Sequence, residues 1–374
     1  MTRVLTVNAG SSSLKLDVIE NDDSVRYRRH LDDWDGETDA IADLIAEAQP
    51  DAVGHRVVHG GDSMRGPAVL APEVMANIHA AGQLAPLHQP RALTGIDAVA
   101  AAAPNLPTVA CFDTVFHRTM PAEASTYAVP REWQRRFGIR RFGFHGLSHA
   151  YVARRTAQIL GRDISDLRTV SAHLGSGASL CAIERGRSVD TTMGMTPTEG
   201  LVMGTRPGSL DPGILLWLLR SQHMSLVDLD AGLEKHSGLL GMAGSSDMGE
   251  LLNERSERAA HAVDVYLHRL VGSIASMAAA MGGMDTLAFT GGVGENAAPI
   301  RARVAQRLAF MGVTLDQELN ESDPVDVEVS TPEAGVRTLV VQSREDLEMA
   351  RQVRRCLEPA SSDRGNAVGR GRHA

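Results

Sequence analysis

Short apolar runs broken by glycine, and longer stretches with apolar residues three and four positions apart, recur along the chain. The short runs predict β-strands at 4–8, 14–19, 52–58, 107–112, 168–174, 179–184, 187–190, 286–290, 325–329 and 337–342. The periodic stretches predict helices at 37–49, 72–82, 90–103, 147–160, 211–221, 225–235, 250–281, 297–311 and 345–357. In 250–281, Val263, Leu267, Leu270, Val271, Ile274 and Met277 fall at helical spacing. Strands alternating with helices predict a layered α/β fold. Four stretches lack the pattern: the acidic Glu20 to Asp35, the arginine-rich Pro121 to Gly143, the long loop Thr191 to Leu210, and the polar tail 359–374, whose composition predicts disorder.

One pattern occurs twice. Val4-Leu5-Thr6-Val7-Asn8-Ala9-Gly10-Ser11-Ser12-Ser13-Leu14 and Val170-Ser171-Ala172-His173-Leu174-Gly175-Ser176-Gly177-Ala178-Ser179-Leu180 each run strand, Gly/Ser turn, strand. Glycine lets backbone approach a ligand closely, and clustered N–H groups and hydroxyls suit phosphate oxygens. Gly10 and Gly175 stand 165 positions apart, which implies two similar lobes with phosphates held between them. That is the layout of a phosphoryl-transfer enzyme.

Composition narrows the partners. At 374 residues the chain suits two domains. A net charge of −9 leaves no general basic field for nucleic acid or an anionic membrane, and 4% aromatic residues argue against stacking platforms for single strands. An anionic substrate must therefore meet local cations, of which Arg56, in a Gly-rich strand exit, and Arg206, in the long loop, are candidates. Three scattered cysteines, Cys111, Cys181 and Cys356, argue against a disulfide framework. No signal peptide or long apolar span is present, so a cytoplasmic protein with no membrane partner is expected. Asp113 ends a buried strand, where open α/β sheets place ligands, and Gly291 to Asn296 forms a turn opening a helix, which suits an anion.

On Asn8 to Lys15, Asp113 to His117, Phe142 to His149 and Asp190 to Arg206, the chain resembles the acetate kinase family of the acetate and sugar kinase/Hsp70/actin superfamily. The matches run from Val4 to about Arg351 in the family's order. The resemblance implies two duplicated actin-like (ribonuclease H-like) α/β domains with the active site in the cleft between them. Residues 1–114 with 346–358 would form the N-terminal domain and its returning helix, and 115–345 the nucleotide-binding domain. It also implies a homodimer; the run Ile214-Leu215-Leu216-Trp217-Leu218-Leu219 suits an interface or a core equally. The implied activity is reversible transfer of the γ-phosphoryl group of ATP to acetate, directly and in line, with Mg²⁺ or Mn²⁺, giving acetyl phosphate and ADP.

The resemblance also assigns roles. Arg206 and His145 match the transition-state residues, Asp113 the catalytic acidic residue, Arg56 the substrate arginine, and Val58, Leu87, Phe144 and Pro197 the apolar acetate pocket. Lys15, His173, Leu174, Gly175, Ser176 and Gly177 match the phosphate side of the ATP site; Asp247, Met248, Gly249, Gly292, Val293, Gly294, Glu295 and Asn296 match its adenosine side. Asn8 and Glu345 match the metal positions. Because carboxylic acids titrate at about 4–5, acetate needs no deprotonation, and Asp113 is expected to organise metal, water and arginine rather than act as a base. Each residue has a plainer reading: Arg56 and Arg206 in structural ion pairs, His145 and His173 as satisfied structural histidines, Lys15 as an exposed strand lysine, Glu345 as helix N-terminal charge complementarity.

Departures from the family are Ser176 and Gln89 where it has asparagine, Gly249 where it has an arginine against the adenine, and a shorter Glu20 to Asp51 region. Two rivals stay open: within enzymes a propionate or butyrate kinase, and, motivated by Gly249 and Ser176, a nucleotide-binding regulator without turnover.

Overall fold

The computed structural model describes residues 2–10, 13–32, 34, 36, 38–85 and 89–358. Ser11 and Ser12 of the first turn, the expected pocket residue Leu87 and the tail 359–374 lie outside the described residues.

Strands β1 (Val4–Ala9), β2 (Leu14–Ile19), β3 (Val25–Leu31), β4 (Ala52–Val57), β5 (Ala68–Val69) and β6 (Thr108–Phe112) form one sheet, ordered β3-β2-β1-β4-β6-β5. A second sheet comprises β7 (Arg168–Leu174), β8 (Ala178–Glu184), β9 (Arg187–Thr191), β10 (Thr286–Thr290), β11 (Val327–Glu328) and β12 (Arg337–Val340), ordered β11-β12-β10-β7-β8-β9. In each, an antiparallel hairpin is extended by two parallel neighbours, so β3-β2-β1-β4-β6 repeats as β9-β8-β7-β10-β12. The predicted duplication is present as strand order, and the fold is α/β.

Helices α1 (Gln89–Ala102), α2 (Gly146–Leu160), α3 (Glu257–Ala280), α4 (Gly291–Asn296) and α5 (Glu345–Leu357) matter most for the site. Strand β1 is apolar on both faces because both are covered. Leu5 and Val7 pack with Ala98 and Val99 of α1, while Val4 packs with Met349, Ala350 and Val353 of α5. The last described helix therefore returns to the first sheet. Its approach explains Gly54 on β4, where a Cβ would lie 2.7 Å from Val353 Cγ2. On the second sheet, Val263, Leu267, Leu270, Ile274 and Met277 of α3 join Val170, Ala172 and Leu180 in one cluster.

Some expectations fail locally. The acidic stretch after Glu20 holds strand β3, whose alternating half-exposed pattern was masked by its charges; Arg28 reaches back to Asp17 at 2.6 Å, as an edge strand with a wet face allows. The predicted helix 250–281 is two helices, Met248–Asn253 and Glu257–Ala280, because Ser256 caps the second by accepting from Ala259 N. Pro121 to Gly143 holds short helices at Ala122–Ser125 and Arg131–Phe137. Gly291 to Asn296, predicted as a turn, is itself helical. The Ile214 to Leu219 run is no core: Ile214, Leu216 and Trp217 are about half exposed. No helix among the described residues is long and apolar enough to cross a membrane.

Candidate active site

Parallel β1, β4 and β6 end side by side, bringing Asn8, Arg56 and Asp113 together, and Glu345 at the start of α5 joins them. The Arg56 guanidinium grips Asp113, with Nη2 to Oδ2 at 2.7 Å and Nε at 3.2 Å from both carboxylate oxygens. Its Nη1 donates to Asn8 Oδ1 at 3.2 Å and lies 3.3 Å from Glu345 Oε2, to which Asn8 Nδ2 also donates at 3.0 Å. Burial pushes the Asp113 carboxyl up, with Glu345 adding to it, and the Arg56 fork opposes both. That bidentate grip offsets part of the cost of burial, and Asp113 still lies above the ordinary carboxylate range. Burial also pushes Glu345 up, but Arg56, Lys15 and the Asn8 amide outweigh it and hold Glu345 below the usual range. Arg56 is thus ion-paired, as its plainer reading has it, while keeping one edge toward Asn8 and Glu345.

Among the described residues, no group of three His, Cys, Asp or Glu is arranged to hold a metal alone. Mg²⁺ needs no such cage: it takes one or two protein oxygens and keeps waters and substrate phosphates. An ionised Glu345 beside the Asn8 amide oxygen fits that requirement.

The second sheet presents histidines. His145 adopts the left-handed conformation (φ 56°) just before α2, and its ring stacks on His173 of β7, centroids 4.4 Å apart. Gly146 N donates to the Asp113 carbonyl at 3.0 Å, and a Cβ there would lie 2.1 Å from that oxygen, so only glycine permits the junction. His145 Nδ1 lies 3.0 Å from Ser179 Oγ; the same hydroxyl is 2.8 Å from His149 Nε2, and His149 Nδ1 is 2.8 Å from Ser171 Oγ. Ser171, Ser179 and His149 are fully buried.

That relay has one fully satisfied polarity. Ser171 Oγ meets no second acceptor among the described residues, so its proton must go to His149 Nδ1. His149 Nε2–H then donates to Ser179, Ser179 donates to His145 Nδ1, and the His145 proton sits on Nε2. Burial first, then the neighbouring His173 and Arg56, keep His145 well below the ordinary histidine range, so it is a neutral N–H donor. His173, bonded through Nδ1 to Ser148 Oγ at 2.8 Å, is pushed by burial down to about 4.

His145 Nε2 faces Gly177, which also faces Arg206: a Cβ on Gly177 would lie 3.5 Å from Nε2 and 2.7 Å from Arg206 Nη2. Arg206 is anchored by Nη1 to the Pro197 carbonyl at 2.7 Å and makes no ion pair among the described residues. Burial draws its pKa down, with Glu234 in partial opposition. Val58 and Phe144 share one apolar cluster with Met193 and Leu201.

A cleft of about 640 Å³ gathers Gly175, Ser176, Asp247, Met248, Gly249, Gly292, Val293 and Asn296. Three expected ATP residues do not line it. Leu174 is fully buried, Gly294 packs on Phe289, and Glu295 Oε1 accepts from Gly291 N at 2.8 Å and Ser343 N at 2.9 Å. Lys15 instead lines a separate groove with Asn8 and Glu345. Sequence reasoning missed Tyr266, which lines the nucleotide-sized cleft with a buried hydroxyl lacking a partner among the described residues. It hides within the apolar stripe of α3. The relay serines Ser171 and Ser179 were quoted only as part of the turn motif, since nothing in spacing says which hydroxyl meets which imidazole.

The sequence pattern of the acetokinase family matches residues 37–351. The chain is 47% identical over 337 residues to an acetate kinase of Gloeobacter violaceus, covering 89% of this chain and 82% of that protein. Its fold is similar to the crystal structure of Porphyromonas gingivalis acetate kinase, with TM-score 0.86, 35% identity, and 96% of this chain and 100% of that one covered. It is equally similar to a propionate kinase from Francisella tularensis, with TM-score 0.87, 33% identity, and 94% and 99% covered. Carried by a family pattern and by folds that span nearly its whole length, the chain belongs to the acetokinase family.

Proposed function

We propose that this chain catalyses the reversible transfer of the γ-phosphoryl group of ATP to acetate, giving acetyl phosphate and ADP. A carboxylate oxygen of acetate forms a bond to phosphorus in line with the bond to the ADP oxygen, which breaks with its electron pair leaving on ADP; no proton need move. The observation that carries the reading is the convergence on Gly177 of the His145 Nε2 edge and an Arg206 guanidinium that makes no ion pair among the described residues. Both suit the charge that spreads over a phosphoryl group in flight.

In this reading Arg56 seats the acetate carboxylate, and Val58 and Phe144, with Leu87 and Pro197, take its methyl group. Asp113 holds the Arg56 fork in place instead of acting as a base. Lys15, His173 and the Gly175 to Gly177 turn hold phosphates, and the cleft from Asp247 to Gly249 and Gly292 to Asn296 takes the adenosine. Asn8 and Glu345 would hold Mg²⁺ or Mn²⁺, which would offset the charge of the nucleotide phosphates. We assign residues 1–114 with 346–358 to one domain and 115–345 to the other. A cytoplasmic homodimer is part of the proposal, the exposed Ile214, Leu216 and Trp217 supplying an apolar face.

Trapping the acyl phosphate with hydroxylamine tests the activity. Acetate, ATP and Mg²⁺ should yield hydroxamate, and propionate should yield less, one methylene being worth about 1–3 kcal/mol in such a pocket. A preference for butyrate would replace acetate with a longer acid. No hydroxamate from protein that still binds ATP would favour a regulator.

A further inference from the structure

Phe112 and Gly146, each one residue from Asp113 and His145, help line a second cleft of about 690 Å³ that neither catalytic residue enters. Pro67, Val115, Phe116 and Ile164 add an apolar floor. Around it stand six arginines: Arg65, Arg154, Arg185, Arg187, Arg351 and Arg355.

Among the described residues the only lining carboxylate is Glu348, which is 2% exposed and already paired with Arg154 and Arg351. Arg65, Arg185, Arg187 and Arg355 make no ion pair among the described residues, although the chain as a whole carries a charge of −9. Arg351 is drawn below its ordinary range by burial and then by the like charges of Arg154 and, behind Glu348's opposition, Arg355. Uncompensated guanidiniums facing one cavity repel one another, and an anion bound among them relieves that repulsion.

These arginines come from separate elements. Arg65 precedes β5, Arg185 and Arg187 flank the β8–β9 turn, and Arg351 and Arg355 lie on α5. An anion reaching all three would bridge the hairpin of the second sheet to the helix of the first. A phosphate group accepts several guanidinium forks at once, and the apolar floor suits an organic body beside it. We propose that this cleft binds a phosphorylated organic anion at a site separate from the catalytic centre.

Calorimetric titration with phenyl phosphate tests this, with the catalytic site filled by acetate and a non-hydrolysable Mg–ATP analogue. One saturable site per chain is expected, weakened by raised salt. Arg187→Ala combined with Arg355→Ala should weaken binding about 10-fold or more while leaving kcat without phenyl phosphate unchanged, because both side chains are exposed. Absence of saturable binding, or unchanged affinity in the double variant, would overturn the site. Inorganic phosphate binding as tightly as phenyl phosphate would overturn the organic ligand.

Discussion

A methyl group placed on Gly177 would come within 2.7 Å of Arg206 Nη2. Arg206 can give way only by stretching or losing its Nη1 bond to the Pro197 carbonyl. Gly177→Ala should therefore displace the guanidinium and lower kcat by about 10²-fold, the cost typical of losing one transition-state donor. Gly177 has no left-handed backbone to strain, so the melting temperature should barely change. Steady-state kinetics beside thermal unfolding checks both halves.

Ser171 lies two hydrogen bonds behind Ser179, yet it sets the polarity of the whole relay. Ser171→Ala should let the His145 proton distribute between Nδ1 and Nε2. Nitrogen-15 spectra of labelled histidine should report that mixture, with kcat falling more than either KM rises. A His145 ring still protonated only on Nε2 would refute the relay.

Acid should destabilise the fold through its buried histidines. Burial lowers His55 to about 3, and His59 and His117 to about 4, from the ordinary 6.5. The unfolded chain then binds more protons than the folded one between pH 6.5 and 4, so stability is complete above 6.5 and falls as pH drops through that window. Shifts of this size are worth about 3–5 kcal/mol per residue. Melting temperature measured from pH 7 to 4 should decline, and His55→Leu, which removes a ring whose Nε2 has no partner among the described residues, should flatten the slope.

Gly54 and Val353 mark where the last described helix meets the first sheet. Gly54→Ala should cost about 1–3 kcal/mol through overpacking. Adding Val353→Ala should recover part of that loss, which denaturant unfolding of the single and double variants measures.

Much of this was legible in the chain. The paired Gly/Ser hairpins announced the duplicated sheets because strand, turn and strand are contiguous, and Asp113 was legible as the end of an apolar run. Strand β3 was not, since an edge strand with a wet face carries arginines where apolar alternation is sought. Nor was the Arg56–Asp113 fork, which joins residues 57 positions apart through parallel pairing that no local pattern encodes. The His145–Ser179–His149–Ser171 relay was hidden for the same reason: it crosses from a helix start to two strands.

The return of α5 to β1 and β4 constrains how the chain is made. A ribosome must synthesise the entire second sheet before Met349 and Val353 emerge to seal the face of the first, so the opening hairpin waits with one side bare. Truncation within the last helix would therefore expose residues synthesised long before it.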